Sequence, residues 1–419
     1  MEHKLHICFL QYNLLGGGAE RKVCTLANYF AAQGHEVEIG LFGVNEVAYQ
    51  LDDRVKVTFL RRMNYEYKNQ TEKRIYKIKQ GCLNAAGGLL KIVSRKAGLK
   101  FQKHFEKIND YTLPIQRYIL NRKDAVFISM MVSAYLAVLR VMDPYWNKKI
   151  PVPYLVMDCS DPKRNADQEV DRKRTESYPK ASRVLVMTQE AKNYFSEEIQ
   201  KKCVVIPNPL RDDLPEPYTG ERRKVVVNFC RLTRQKNLPL LIDAFALFHQ
   251  THPDYRLELY GQGELQEELE QKIEALHLQY SVSILPFDSN VHQKIRDCAM
   301  FVSSSDWEGW SNSVMEALAL GLPTISTDCD FGPRNMIRNR KNGFLVPIND
   351  VHALTSAMAE MADHCGLAER LACEAIKVRE SYRAEVIGEK WLQVIHETIE
   401  EFEHIHSLNH WKERIKHGD

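Results

Sequence analysis

Short apolar runs rich in β-branched residues alternate with longer segments whose apolar positions recur at helical spacing. In the first half LHICFLQ (5–11), EVEIGLFG (36–43), AVFISMM (125–131), PYLVM (153–157) and RVLVM (183–187) read as strands. VVVNFC (225–230), RLELYG (256–261), VSILPF (282–287), AMFVSSS (299–305), PTIST (323–327) and FLVPI (344–348) do so in the second. Strands separated by amphipathic segments predict βαβ units and parallel sheets, an α/β chain. The segment IPNPLRDDLPEPYTGERRK (206–224) interrupts the alternation with four prolines in a polar setting, the best boundary in the sequence. Two Rossmann-like domains are expected, over 1–207 and 208–383. Within 384–419, Trp391, Val394, Ile395, Ile399 and Phe402 place an apolar face on a last helix, and that face needs a partner surface.

Composition narrows the class. The 419 residues are 44% hydrophobic and 27% charged, a globular balance that excludes collagen-like, disordered and disulfide-scaffold chains. Ten cysteines lie scattered with no C-x-x-C pair, so buried free thiols are expected. No stretch reaches the roughly 18 apolar residues of a spanning helix. The start MEHKLHICFLQ lacks a secretory pattern, and the expected location is cytoplasmic. Net charge is only +2, yet residues 61–125 hold 16 Lys/Arg against five acids, a local +11 that leaves the remainder at −9. Because Ile75, Ile78, Leu89, Leu90, Ile92 and Tyr118 interleave with these cations, residues 61–123 read as a basic helical insertion. It is either a solvated face or an amphipathic surface lying on anionic lipid. Nucleic acid is disfavoured, since the remainder is acidic and no recognition motif accompanies the patch.

Three segments carry candidate chemistry. After the first strand, Gly16, Gly17 and Gly18 open a helix, where backbone N–H groups can approach an anion at the positive end of the helix dipole. The dinucleotide pattern G-x-G-x-x-G/A is not met, because Arg21 holds its last position. Glu38, in a strand pattern, reads as a solvent-side residue and not as a ribose ligand. In the second half, Arg231 and Lys236 follow a strand and precede an amphipathic helix, where two cations read as a diphosphate clamp or as solvated loop charges. Glu308 and Glu316 flank the start of a further helix, one on the loop and one in the first turns. For Glu316 the alternative is structural, since Ser313-Val-Met-Glu316 spells a capping box.

Glu308 with Glu316 as E-x7-E, Arg231 with Lys236, GGGAE (16–20), IPNP (206–209) and STDCDFGPRNMI (326–337) before NGFLVP together resemble the retaining GT-B glycosyltransferases of glycosyltransferase family four. The resemblance covers most of residues 1–400 and is densest over 206–347. It implies two Rossmann-like domains facing a cleft, a nucleotide-sugar donor on the C-terminal domain, an acceptor on the N-terminal one, and a final helix crossing back to the first domain. By the same resemblance Arg231 and Lys236 would hold the donor diphosphate, Glu316 the ribose hydroxyls, and Glu308 the transferred sugar. Gly309, Trp310, Ser311, Asn312 and Ser313 would supply backbone donors, with Gly16, Gly17 and Gly18 nearby. The implied chemistry needs no metal or other cofactor, and Asp328-Cys-Asp330 resembles a D-x-D site only superficially.

The sequence departs from the family pattern in places. Asn335 stands where relatives often have Glu. In VMDCSDP (156–162), which resembles the relatives' SERNDP, Asp158 stands for the Glu and Cys159 for the Arg, leaving Asp158 and Asp161 as acceptor-side candidates. The expected activity is transfer of a hexose from a nucleotide sugar, by family frequency a UDP-hexose, to a lipid-linked saccharide at the inner face of the cell membrane. A GT-B-fold sugar-nucleotide epimerase and a noncatalytic binding protein are the alternatives from other classes.

Overall fold

The computed structural model describes residues 4–15, 17–44, 46–60, 114–130, 134–135, 138, 152–164, 174–175 and 178–417. Residues 61–113 of the basic insertion expected over 61–123, and Gly16, therefore lie outside the described residues. Two parallel sheets organise the chain. The first contains β1 (His6–Gln11), β2 (Glu36–Leu41), β3 (Lys56–Phe59), β4 (Ala125–Ser129), β5 (Tyr154–Asp158), β6 (Arg183–Val186) and β7 (Cys203–Val205), in the order β3-β2-β1-β4-β5-β6-β7. The second contains β8 (Arg223–Phe229), β9 (Arg256–Tyr260), β10 (Val282–Leu285), β11 (Cys298–Ser303), β12 (Thr324–Thr327) and β13 (Phe344–Val346), in the order β10-β9-β8-β11-β12-β13.

The fold is the expected α/β GT-B architecture of two Rossmann-like domains. Strands β4 and β5 are buried at every position, as sheets covered on both faces by helices require. Strands β3 and β7 escape the apolar-run reading because they are edges. KVTF is exposed or half-exposed throughout and CVV is three residues long, so neither carries a continuous core signal. Glu38 corrects a second expectation. It lies in β2 as read, but it is only 2% exposed, accepting from Tyr118 Oη at 3.0 Å and from Arg122 Nη2 at 2.9 Å. A buried carboxylate must be paired, and the helical residues 114–120 and the turn after them bring the partners to it.

Five helices position the residues of the cleft and join the two domains. They are α1 (Gly18–Ala32), α2 (Leu238–Thr251), α3 (Val291–Ile295), α4 (Asn312–Ala319) and α5 (Ala384–His417). α2 starts at Asn237, whose side chain accepts from Leu240 N, and buries Leu241, Phe245 and Phe248. α5 crosses to the first domain and buries Ile387, Trp391, Leu392, Val394 and Ile395. Tyr29 Oη of α1 donates to Glu389 Oε1 at 2.6 Å, and a Cβ at Gly388 would lie 2.2 Å from the Tyr29 ring, so only glycine allows this approach. Each buried large apolar side chain contributes roughly 1.5–3 kcal/mol, which makes this face a main tie between the domains.

Candidate active site

In both sheets the strand order reverses at the middle, between β1 and β4 and between β8 and β11. A crevice opens at the carboxyl ends of strands where their connections diverge to opposite sides, and in open α/β sheets ligands bind there. The glycine loop leaves β1 at one reversal, and the Arg231–Lys236 and Ser304–Ser311 segments leave β8 and β11 at the other.

Lys236 and Glu308 meet at the second reversal. Lys236 Nζ lies 2.5 Å from Glu308 Oε1, which also accepts from Ser305 Oγ at 2.8 Å, while Gln235 Nε2 reaches Oε2 at 3.2 Å. Ser304 Oγ donates to Lys236 O at 2.9 Å, tying the two loops together. Burial works against a charged ammonium, but the adjacent Glu308 outweighs it and holds the Lys236 pKa above its usual range. Arg231 is exposed at the loop's edge, with Nη2 3.5 Å from Gln235 Oε1.

Glu316 is the second buried carboxylate. Every residue of α4 from Val314 to Ala319 is buried, so an ionised side chain there needs partners. Arg21 Nη2, from α1 of the other domain, pairs with Oε1, and His292 Nε2 lies 2.8 Å from Oε2. Burial pushes the carboxyl up, but Arg21, His292 and Arg211 together hold it down at about 2. The capping-box alternative fails. The helix begins at Asn312, its N-cap is Ser311 with no side-chain capping bond, and Glu316 faces the other domain. Ser311 takes a left-handed conformation at φ 68°, and its buried Oγ has no hydrogen-bond partner among the described residues. The first intrahelical bond runs from Met315 N to Ser311 O, so the amides of Asn312, Ser313 and Val314 precede it, as helix geometry dictates.

The domains touch across these segments. A Cβ at Gly309 would lie 2.9 Å from Cys159 O, and one at Gly18 would lie 2.6 Å from Asn312 Nδ2, so both glycines permit the close approach. Asn208 Nδ2 donates to Asn312 Oδ1 at 2.9 Å, and Tyr49 Oη bonds both the N–H and the carbonyl of Gly17. Trp310 turns its indole inward to Met315 Sδ and sets its ring edge-on to Tyr382, leaving the backbone as its contribution to the cleft. Asp158 is occupied within its own domain by Tyr178 Oη, Ser160 Oγ and the Arg174 guanidinium, and Asp161 caps Lys163 N at 2.8 Å.

Residues 211–378 match the family model described as glycosyl transferases group 1. That match covers 168 of the 419 residues, the part of the chain that carries Arg231, Lys236, Glu308 and Glu316. An uncharacterised glycosyltransferase of Methanocaldococcus jannaschii is 35% identical over 174 residues, 38% of this chain and 43% of that protein. An exopolysaccharide phosphotransferase of Streptomyces coelicolor is 24% identical over 96% of this chain, which spans 41% of it. A Campylobacter jejuni protein, 24% identical over 94% of this chain and 99% of its own length, is named an alpha-1,4-N-acetyl-D-galactosaminyltransferase acting on a GalNAc-GalNAc-diNAcBac-PP-undecaprenol. The crystal structure of Anabaena HepE in complex with UDP superposes with a TM-score of 0.70 at 16% identity, over 94% of this chain and 100% of that one.

Three residues of this site carried no motif. Arg21 and His292 grip Glu316, and Lys22 Nζ donates to Cys159 Sγ at 3.3 Å from a buried position that pushes its pKa down. Lys22 thus brings a basic group beside Cys159, which stands where the family resemblance implies Arg. A charged residue inside a helix's apolar face was the one available signal for Lys22. Asp328 and Asp330 point to separate cations, Arg334 Nε and Lys163 Nζ, each at 2.9 Å.

The Glu316 carboxyl also sets a pH dependence. Held at about 2 against an ordinary 4.5, it contributes stability that is fully present above about pH 4.5 and is lost as pH falls towards 2. The melting-temperature gap between wild type and Glu316→Gln should be widest above about pH 5 and shrink on acidification, as calorimetry across that range will measure.

Proposed function

We propose that this chain is a retaining hexosyltransferase that moves a sugar from a nucleotide diphosphate donor, a UDP-hexose, to a lipid-linked saccharide. The observation that carries the reading is the pair of buried, cation-bound carboxylates Glu308 and Glu316 at the carboxyl end of β11 and the start of α4. Buried polar atoms without hydrogen-bond partners among the described residues, Thr233 Oγ1, Asn208 Oδ1 and Ser311 Oγ, belong to the same segments and suit a polar ligand. Lys236, with Arg231, faces the diphosphate, Glu316 the ribose, and Glu308 the transferred sugar. The bond from the sugar's anomeric carbon to the diphosphate breaks as the acceptor oxygen bonds to that carbon on the same face. The acceptor's proton passes to the departing phosphate, whose growing charge the cations stabilise.

UDP as donor is supported by the HepE complex, and a lipid-linked acceptor by the name of the Campylobacter relative. UDP release should depend on an added membrane extract that supplies the acceptor. Release without acceptor favours a hydrolytic or isomerising site, and no binding of nucleotide sugars in a thermal-shift screen favours neither. The clamp supplies the charge that a metal would, so EDTA should leave turnover within about twofold. A loss beyond about tenfold restored by magnesium or manganese contradicts that assignment.

The membrane side of the reading rests on the basic composition of 61–123, because no described helix is long and apolar enough to cross a membrane. At about 1 kcal/mol per surface cation, reversing Arg74, Lys77 and Lys79 to Glu should release the protein from anionic vesicles, as should moderate salt. Cosedimentation that ignores salt, or its absence in wild type, removes this part of the proposal.

A further inference from the structure

Resting on the ribose reading of Glu316, we propose that His292 is a positioning residue, set by Arg211, that fixes the Glu316 carboxylate in the orientation a nucleotide's ribose hydroxyls require. The geometry assigns its tautomer. Arg211 Nη1 lies 3.0 Å from His292 Nδ1, and a guanidinium has only donors, so Nδ1 accepts. The ring proton is then on Nε2, which donates to Glu316 Oε2 at 2.8 Å. Each link is itself held. Asp213 grips the Arg211 guanidinium, and Phe229 stands edge-on to the imidazole at 5.3 Å between ring centroids. His292 is 5% exposed on α3, so the ring has little room to turn.

A carboxylate on a flexible two-carbon stem otherwise samples many orientations, and holding one of them removes an ordering cost from ligand binding. The relay uses Oε2, while Oε1 faces Arg21 across the domain gap. A ribose hydroxyl therefore meets a carboxylate whose plane is set before it arrives. His292 touches neither the nucleotide nor the reacting atoms, and its effect passes through Glu316.

The test is isothermal titration of the full chain with UDP and GDP and with their 2′-deoxy counterparts. Loss of a hydrogen bond to a charged group is worth about tenfold or more, so wild type should prefer the ribose form by about that factor. Glu316→Gln should reduce the preference to below about threefold, and His292→Leu should do the same although it leaves Glu316 intact. His292→Gln, which keeps an N–H near Oε2, should retain most of it. A merely structural histidine predicts that His292→Leu weakens ribose and deoxyribose forms equally, and that result overturns the proposal. Wild type binding both forms alike overturns the ribose reading of Glu316 and the positioning role with it. Preference lost in Glu316→Gln but kept in His292→Leu overturns the positioning role alone. Should His292→Leu fail to fold by circular dichroism, Arg211→Met decides, because it leaves His292 in place but frees its tautomer. The preference should then fall by at least about threefold, and an unchanged preference rejects the relay.

Discussion

Lys236→Ala should lower donor turnover by at least about 30-fold, because truncating one partner of a desolvated charge pair costs roughly 2–5 kcal/mol. Two losses combine in that figure. The first is the cation proposed to meet the donor diphosphate. The second is internal, since Glu308 is buried and Lys236 is the charged group 2.5 Å from its Oε1. Ser305 and Gln235 would still donate to the carboxylate, but neither neutralises it. The melting temperature of Lys236→Ala should accordingly fall, and adding Glu308→Gln should recover part of that fall without recovering turnover. Lys100→Ala, in the basic stretch proposed to meet the membrane, should leave turnover on a soluble acceptor unchanged. Equal effects from Lys236→Ala and Lys100→Ala would remove Lys236 from the site.

The two glutamates should separate binding from turnover. Glu316→Gln would weaken the proposed charge-assisted hydrogen bonds to ribose hydroxyls, each worth roughly 1.5–3 kcal/mol, so affinity for UDP should fall by about 10- to 150-fold. An opposing effect limits the loss. Glu316 Oε1 is paired with Arg21, and a neutral amide releases that guanidinium towards the same cleft. A fall near the lower end of the range is therefore expected if Arg21 then meets the diphosphate. Glu308→Gln should instead cut turnover while UDP affinity holds nearly constant, since its proposed contact is with the transferred sugar and strengthens as charge develops there. Titration calorimetry and steady-state kinetics on the same preparations measure both. Wild-type UDP affinity in Glu316→Gln, or full turnover in Glu308→Gln, is incompatible with the proposed donor site.

The cause of the capping-box ambiguity shows where sequence reading stops. Ser313-Val-Met-Glu316 spells a cap that would start the helix at Val314, yet the helix starts two residues earlier at Asn312 and Ser311 stands left-handed before it, a backbone choice made by the loop's packing and not by the four residues. Glu38 behaves similarly. Strand alternation places it on one face of β2, but whether that face meets water depends on Tyr118 and Arg122 arriving from eighty residues away.

By itself the sequence determined the class, the two parallel sheets, the break near residues 206–224 and the need of the last helix for a partner surface. These rest on local properties: hydrophobic periodicity, proline punctuation and an apolar stripe, each readable within a short window. The ordered combination of Glu308, Glu316, Arg231 and Lys236 was legible too, because the resemblance preserves their spacing. Only the tertiary structure decided what those groups face. It joined Lys236 to Glu308 and brought Arg21 and His292 to Glu316, and it set Lys22 beside Cys159. Arg21, His292 and Lys22 carry no motif, because a contact between distant segments depends on where two helices end after packing, and one-dimensional spacing holds no record of that distance.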